Sequence, residues 1–338
     1  IDGSKFKAVN NRDKNFTKGK IASRIAHLEA SIDRYLKEMV RIDRQEEGEA
    51  RAEKIANLAQ RSDRIRQEIQ RLQDMDRALK DAPDSQISLT DPDARSMATS
   101  ARGSGFVGYN AQTAADTETH LIVTHDVIND GHDREQLSPM AKKAKAALRR
   151  DEMRVVADKG YFSGREILAC HEEGITTTLP RPETSGNRKK DMYVKADFAY
   201  DADADVYQCP AGETLTYRYT TEEKGLVVRR YWASVCQTCR LKTRCTTGKE
   251  RRITRWEHEH LVEAMHDRMT RDPALMGLRR STVEHPFGTI KAWMGATHFR
   301  MRRLGNVRTE MAFHVLAYNI KRMIALIGVR GLRAAIPA

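Results

Sequence analysis

The sequence predicts an α/β fold: a mixed sheet flanked by helices, with an inserted helical hairpin and an inserted cysteine-containing β-rich module. Three observations predict it. Apolar residues recur at helical spacing through residues 18–84, a strand–helix–strand order runs through residues 154–179, and four of the five cysteines fall within residues 181–257. The 338 residues are enough for more than one compact unit.

The elements follow in chain order. Residues 1–10 read as a strand, with Phe6, Ala8 and Asn10 alternating against Lys5, Lys7 and Val9. Residues 1–16 therefore form the first strand region of a core. In residues 17–84, Ile21, Ile25, Leu28, Ile32, Leu36 and Met39 repeat every three or four positions. Ile55, Leu58, Ile65, Ile69, Leu72 and Leu79 do so again after a polar break at 46–49. Two amphipathic helices so joined predict an antiparallel hairpin.

Residues 85–180 return to the core. The stretch 83–105 is rich in Ser, Asp, Pro and Gly and reads as a loop. Residues 109–115 and 121–127 read as a hairpin with Asp116 in its turn. Asp133 and Gln136 stand at capping-box spacing, which predicts a helix from 133 to about 148 capped by Asp133. The run Arg154 to Ala157, a helix over 164–173 and a strand over 175–179 predict a βαβ unit. Residues 181–257 form the cysteine-containing module, and residues 258–338 a helical end to the core, with helices over 258–269, 278–293 and 307–327.

Formal net charge is +12, and the last 88 residues carry sixteen Lys/Arg against seven Asp/Glu. A basic excess gathered in one region points to a polyanionic partner such as DNA. No apolar run approaches the ~18 residues that span a bilayer, and no signal-peptide pattern is present, so an intracellular protein is expected. The chain begins at Ile1 rather than Met, and a fragment or processed product is expected.

The stretch RSTVEHPFGTIK places Arg280, Glu284 and Lys291 at i, i+4 and i+11, one face of a regular helix. Asp2 and Asp158 stand at strand ends, in IDGS and VVADKGYF. Three carboxylates from two strands and a helix make a hard oxygen site for Mg²⁺ or Mn²⁺. Paired ions of that kind activate water against a phosphodiester and clamp the leaving oxygen. Asp116, Asp130 and Asp133 are rival acids, with Asp116 read as a turn residue and Asp133 as an N-cap. His285 and His298 flank the third acid and read as surface contacts. Trp293 could stack on an unpaired base, although core packing is its simpler role.

These motifs resemble those of the DDE transposases of bacterial insertion sequences. Asp2-Gly3-Ser4 is similar to the family's D-G-T/S strand, and Asp158, Gly160 and Tyr161 to its D-x-G-Y. Arg280, Glu284 and Lys291 match the last three positions of Y-x2-R-x3-E-x6-K, with Gly277 where that signature has Tyr. The resemblance covers nearly the whole chain and implies an RNase H-like catalytic core. It implies a transposase that cleaves element ends and joins them to target DNA, with Asp2, Asp158 and Glu284 as catalytic, Mg²⁺-binding residues. Arg280, Lys291, Arg300, Arg302, Arg303 and Arg308 would contact DNA phosphates, a homodimer would assemble on double-stranded DNA, and the setting would be cytoplasmic and nucleoid-associated. The alternative is a catalytically inactive remnant that binds DNA or a protein partner.

Cys209, Cys236, Cys239 and Cys245 combine a C-x2-C pair, a third cysteine six residues on and a fourth upstream, which suits a structural Zn²⁺ site. Cys170 lies on a predicted helix and reads as a core residue.

Overall fold

The computed structural model describes residues 1–9, 14–45, 47–81, 85–97, 105–183 and 185–335. The expectations for Asn10, for Glu46 and for much of the 83–105 loop fall outside them. The chain forms two compact units and passes from one to the other within β1 (Asp2–Lys7), β5 (Phe106–Ala115), β6 (Ile122–Ile128) and α7 (Ala274–Gly288), and between His132 and Asp133.

The first unit holds residues 1–2, 113–124 and 133–285. Its centre is the parallel pair β7 (Met153–Val156) and β8 (Ile175–Thr178), joined by α4 (Gly164–Glu172). This is the βαβ crossover that the alternation of apolar strand and amphipathic helix predicts. Helices α3 (Leu137–Leu148) and α6 (Glu259–Arg271) supply Leu137, Met140, Ala141, Val262 and Met265 to a core shared with Val155, Ile167 and Ile175. Cys170 belongs to that core and is fully buried, and burial pushes its thiol up to about 12.

Helix α3 begins at Leu137, four residues later than expected. Its N-cap position is Gln136, whose side chain makes no cap bond, and the Asp133 carbonyl accepts the Gln136 amide at 3.0 Å. The amide of Ser138 is satisfied instead by the Glu166 carboxylate at 2.8 Å, reaching across from α4. A tertiary partner has replaced the local cap.

Residues 199–256 form an antiparallel sheet in the order β13 (Ile253–Trp256), β12 (Leu226–Trp232), β11 (Thr214–Glu223), β10 (Val206–Gln208), β9 (Ala199–Asp201). Its small core is Phe198, Tyr207, Leu215, Tyr231, Ala233 and Ile253. A four-residue helix, α5 (Lys242–Cys245), lies in the β12–β13 connection.

The second unit holds residues 3–112, 125–132 and 286–338. Helices α1 (Lys18–Gln45) and α2 (Glu49–Asp81) form the predicted hairpin. Ile21 at the start of α1 packs with Leu72 and Leu79 at the end of α2, which makes the pair antiparallel. Gly48 turns the chain at φ +84, a conformation glycine adopts without Cβ strain.

Strands β2 (Asn15–Thr17) and β3 (Gln86–Ser88) pair beside it, and β4 (Arg95–Met97) pairs with β5. The loop expected over 83–105 thus contains two short strands, and Asp91 between them is fully buried. Asp91 accepts the Tyr109 hydroxyl at 2.8 Å and the Arg303 amide at 3.1 Å. A larger sheet has the order β1-β5-β4 with β6 on β5. A Cβ on Gly108 would stand 2.1 Å from the Phe6 carbonyl oxygen, so only glycine permits that approach.

Helix α8 (Leu304–Ala335) buries Val307, Met311, Val315 and Tyr318 and is kinked at Gly328. By length and composition it is apolar enough to cross a bilayer, which counting uninterrupted apolar residues did not find. The core helix of a soluble protein can pass the same test. Phe313, Leu316, Ile320 and Ile327 on it are exposed.

Leu72 is fully buried between the long helices. Leu72→Ala should destabilise the second unit by about 2–4 kcal/mol, read as a lower urea midpoint and faster amide exchange in α1 and α2.

Candidate active site

The site is built where β7 ends. The Ala157 amide still pairs with the Thr178 carbonyl at 3.2 Å, and Asp158 is the first residue beyond the pairing. Asp158 caps the 3-10 turn Lys159–Tyr161, its Oδ1 accepting the Gly160 amide at 2.6 Å. A Cβ on Gly160 would lie 2.9 Å from that oxygen, so glycine lets the carboxylate fold back onto the turn. Oδ2 lies 3.9 Å from the Arg279 guanidinium.

Asp2 starts β1, and the nitrogen of Ile1 donates to the Val156 carbonyl at 2.8 Å, setting Asp2 beside the end of β7. Two acids with most of the second unit's sequence between them thus meet on one cation. What holds them is Arg279. Its Nη2 donates to Asp2 Oδ1 and lies 3.9 Å from Asp158 Oδ2. Arg279 and Asp2 are 17% and 19% exposed, so the pair is shielded from water, whereas Asp158 is 42% exposed. Screening is correspondingly weaker for Asp2 than for Asp158. Arg279 Nε is buried without a hydrogen-bond partner, a cost that the two carboxylates offset.

Tyr161 is fully buried next to these acids. Burial pushes its phenol well above the usual range, and Asp133, Asp2 and Asp158 push the same way. The hydroxyl stays protonated at neutral pH. Asp133 is the acid that local reasoning set aside as a cap: its Oδ2 lies 3.7 Å from the Cβ position of Gly160. The sequence signal for it is weak, since Asp-x-x-Gln before a helix reads as a capping box wherever it occurs. Asp116 accepts the Glu118 and Thr119 amides at 3.2 and 2.7 Å and is the turn residue expected. Asp130 is exposed.

The other members of the predicted cluster are placed differently. Glu284 and Arg280 are exposed on α7. Among the described residues no group of three or more His, Cys, Asp or Glu is arranged to hold a metal ion, so Asp2 and Asp158 meet without Glu284. A π turn over Thr289–Trp293 follows α7, and the regular i, i+4, i+11 face is lost before Lys291. Lys291 donates to Ser4 Oγ at 2.6 Å and to the Lys5 carbonyl at 2.9 Å, over the Phe6 ring. Arg279, one position from the motif arginine, is the cation the sequence reading missed. One residue along a helix turns the side chain by ~100°, and only the packing of α7 decides which arginine faces inward.

Arg300, Arg302 and Arg303 are exposed, and Arg302 and Arg303 border an open hollow with Met301, Asn306 and Thr309. Arg308 is tied to Asp126 at 3.1 Å and to the Val127 carbonyl at 3.0 Å. Trp293 is 81% exposed with Lys321 Nζ 5.0 Å above its ring, which overturns the core-packing expectation. His285 makes an edge contact with His120 at 5.3 Å, and His298 meets Thr297 Oγ1 at 3.3 Å. Both are surface contacts, as expected.

The donor chemistry suits a hard divalent cation in part. Two carboxylates already turn oxygens toward one positive group, as such an ion requires. Arg279→Ala should cost about 1–3 kcal/mol in urea unfolding, because it leaves two facing carboxylates without their cation. Arg280→Ala should stay within about 0.5 kcal/mol. Equal effects would show that the α7 register is wrong.

Against known proteins, residues 73–320 match the model of the transposase DDE domain. That span includes Asp158, Arg279, Glu284 and Lys291, while Asp2 precedes it. No curated protein and no solved structure matches the chain. With the family model covering well over half of its residues, the chain belongs to the transposase DDE domain family.

Proposed function

We propose that this chain is a transposase of a bacterial insertion sequence with an RNase H-like core. It would hydrolyse a DNA phosphodiester at the element end, and the freed 3′-hydroxyl would then attack target DNA. The observation that carries the reading is the meeting of Asp2 and Asp158 on one guanidinium. Family membership supplies the reaction class.

Asp2 and Asp158 would hold Mg²⁺ or Mn²⁺, with Glu284 as third ligand. Such an ion lowers the pKa of an attacking water and neutralises charge on the phosphate. The chain's own residues do the rest. Gly160 fixes one oxygen of Asp158 so that the other points to the ligand position. Arg279 holds Asp2 and Asp158 together before any ion arrives, and must yield part of that contact when one does. Tyr161, buried and protonated, adds no negative charge beside the acids. Exposed Arg300, Arg302 and Arg303 supply sequence-independent phosphate contacts. Exposed Trp293 offers a face on which an unpaired base can stack. Exposed apolar residues of α8 are the surface available to a second copy in a homodimer.

The catalytically inactive alternative stands beside it, since among the described residues no three acids are arranged to hold a metal ion. Activity decides between them. A plasmid carrying this coding sequence with its native flanks, incubated with the protein and Mg²⁺, should be cut at the element ends. Asp2→Asn and Asp158→Asn should each lower the rate about 100-fold or more. DNA binding without cleavage by the unaltered chain would establish the inactive reading. If Glu284→Gln keeps the full rate while Asp133→Asn loses it, the third acid is Asp133. Replacing Arg302 and Arg303 by Ala should reduce the log–log salt slope of DNA binding by about 2.

A further inference from the structure

The connection between β12 and β13, residues 234–252, poses a physical problem. It is long, and none of its residues is buried. Its regular structure is a 3-10 turn, Ser234–Gln237, and the four-residue helix α5. Loops of this length without a core of their own need another fastening. The adjoining sheet core meets the loop at Cys245, which is partly buried against it.

The loop carries Cys236, Cys239 and Cys245, all half-buried, and they turn toward one small apolar cavity. The fourth thiol on that cavity is Cys209, at the end of β10 in a different part of the module. None of the four is in a disulfide. Local geometry prepares two of them. Cys209 sits in a tight Cys-Pro-Ala-Gly turn, its carbonyl accepting the Gly212 amide at 2.9 Å, with Gly212 at φ +86. At Cys239, the Leu241 amide donates to the sulfur at 3.4 Å. As they stand the thiols share a cavity without a common coordination point.

We propose that Cys209, Cys236, Cys239 and Cys245 bind one Zn²⁺ as a tetrathiolate. The ion draws the four sulfurs together and staples residues 234–252 to the β10–β11 turn. Four thiolates with no open position and no water ligand make a structural rather than a catalytic site. Deprotonation releases protons as the metal binds, and the binding energy becomes folding energy for the loop. The proposal is independent of the Asp2–Asp158 site, and its test does not involve DNA cleavage.

The test uses the full chain purified from zinc-supplemented cells. Metal analysis should give about one zinc per chain, released in step with mercurial titration of the thiols. Cys239→Ser should lose the metal, whereas Cys170→Ala, in the separate α4 core, should keep it. Chelation should open residues 234–252 to protease while β7 and β8 remain protected. Should Cys239→Ser fail to fold, cobalt exchange into the unaltered chain decides, because thiolate–cobalt charge-transfer bands appear only with sulfur ligands. No bound zinc, zinc retained by Cys239→Ser, or cobalt without those bands would each overturn the proposal.

Discussion

The candidate site depends on one cation. Two carboxylates cannot be held a few ångströms apart in a partly dry place without positive charge between them; one would take up a proton or the strands would part. Arg279 supplies that charge from α7, touching Asp2 and approaching Asp158 with the same nitrogen. A guanidinium suits the position because it stays charged at any physiological pH and presents planar donors to oxygen. β1, β7 and α7 are therefore tied by charge where apolar packing alone would not choose the acids' orientation.

Legibility in the sequence tracked the range of the interaction. The helical pair was readable because its seam repeats every three or four residues over sixty positions, and each repeat restates the same prediction. The unit β7–α4–β8 was readable for a similar reason, since a short apolar strand ending in Asp-x-Gly needs a crossover helix to return in parallel. The rest depended on partners far along the chain. Glu166 caps α3 from another helix, so the local capping box at Asp133 was spurious. Arg279 outranks Arg280 through the rotation of α7, which no spacing rule reports.

Two errors had opposite physical origins. Trp293 was given to the core because large aromatic residues usually bury their area. The π turn over Thr289–Trp293 carries it outward, where Lys321 covers its ring. Asp91 drew no notice because it lies in a stretch rich in Ser, Asp and Pro. It is buried and accepts the Tyr109 hydroxyl and the Arg303 amide, a structural role for an acid in a protein whose other acids invite catalytic readings. Asp91 is fully buried with both oxygens committed to donors inside the fold, whereas Asp158 is 42% exposed, and that distinction separates the two.

The two oxygens of Asp158 have different surroundings. One oxygen is spent on the Gly160 amide and fixes the side chain; the other faces a cation across 3.9 Å, too far for a hydrogen bond. A long, half-exposed ion pair of that kind is worth little by itself, so it is easily exchanged. Asp2, by contrast, is in direct contact with Arg279 and better shielded. Placing a divalent ion between them would substitute two positive charges for a shared one while keeping both oxygens where the strands already hold them. If the two acids hold such an ion, Asp158, the more exposed of them, would be the one more open to it, while Arg279 stays in contact with Asp2.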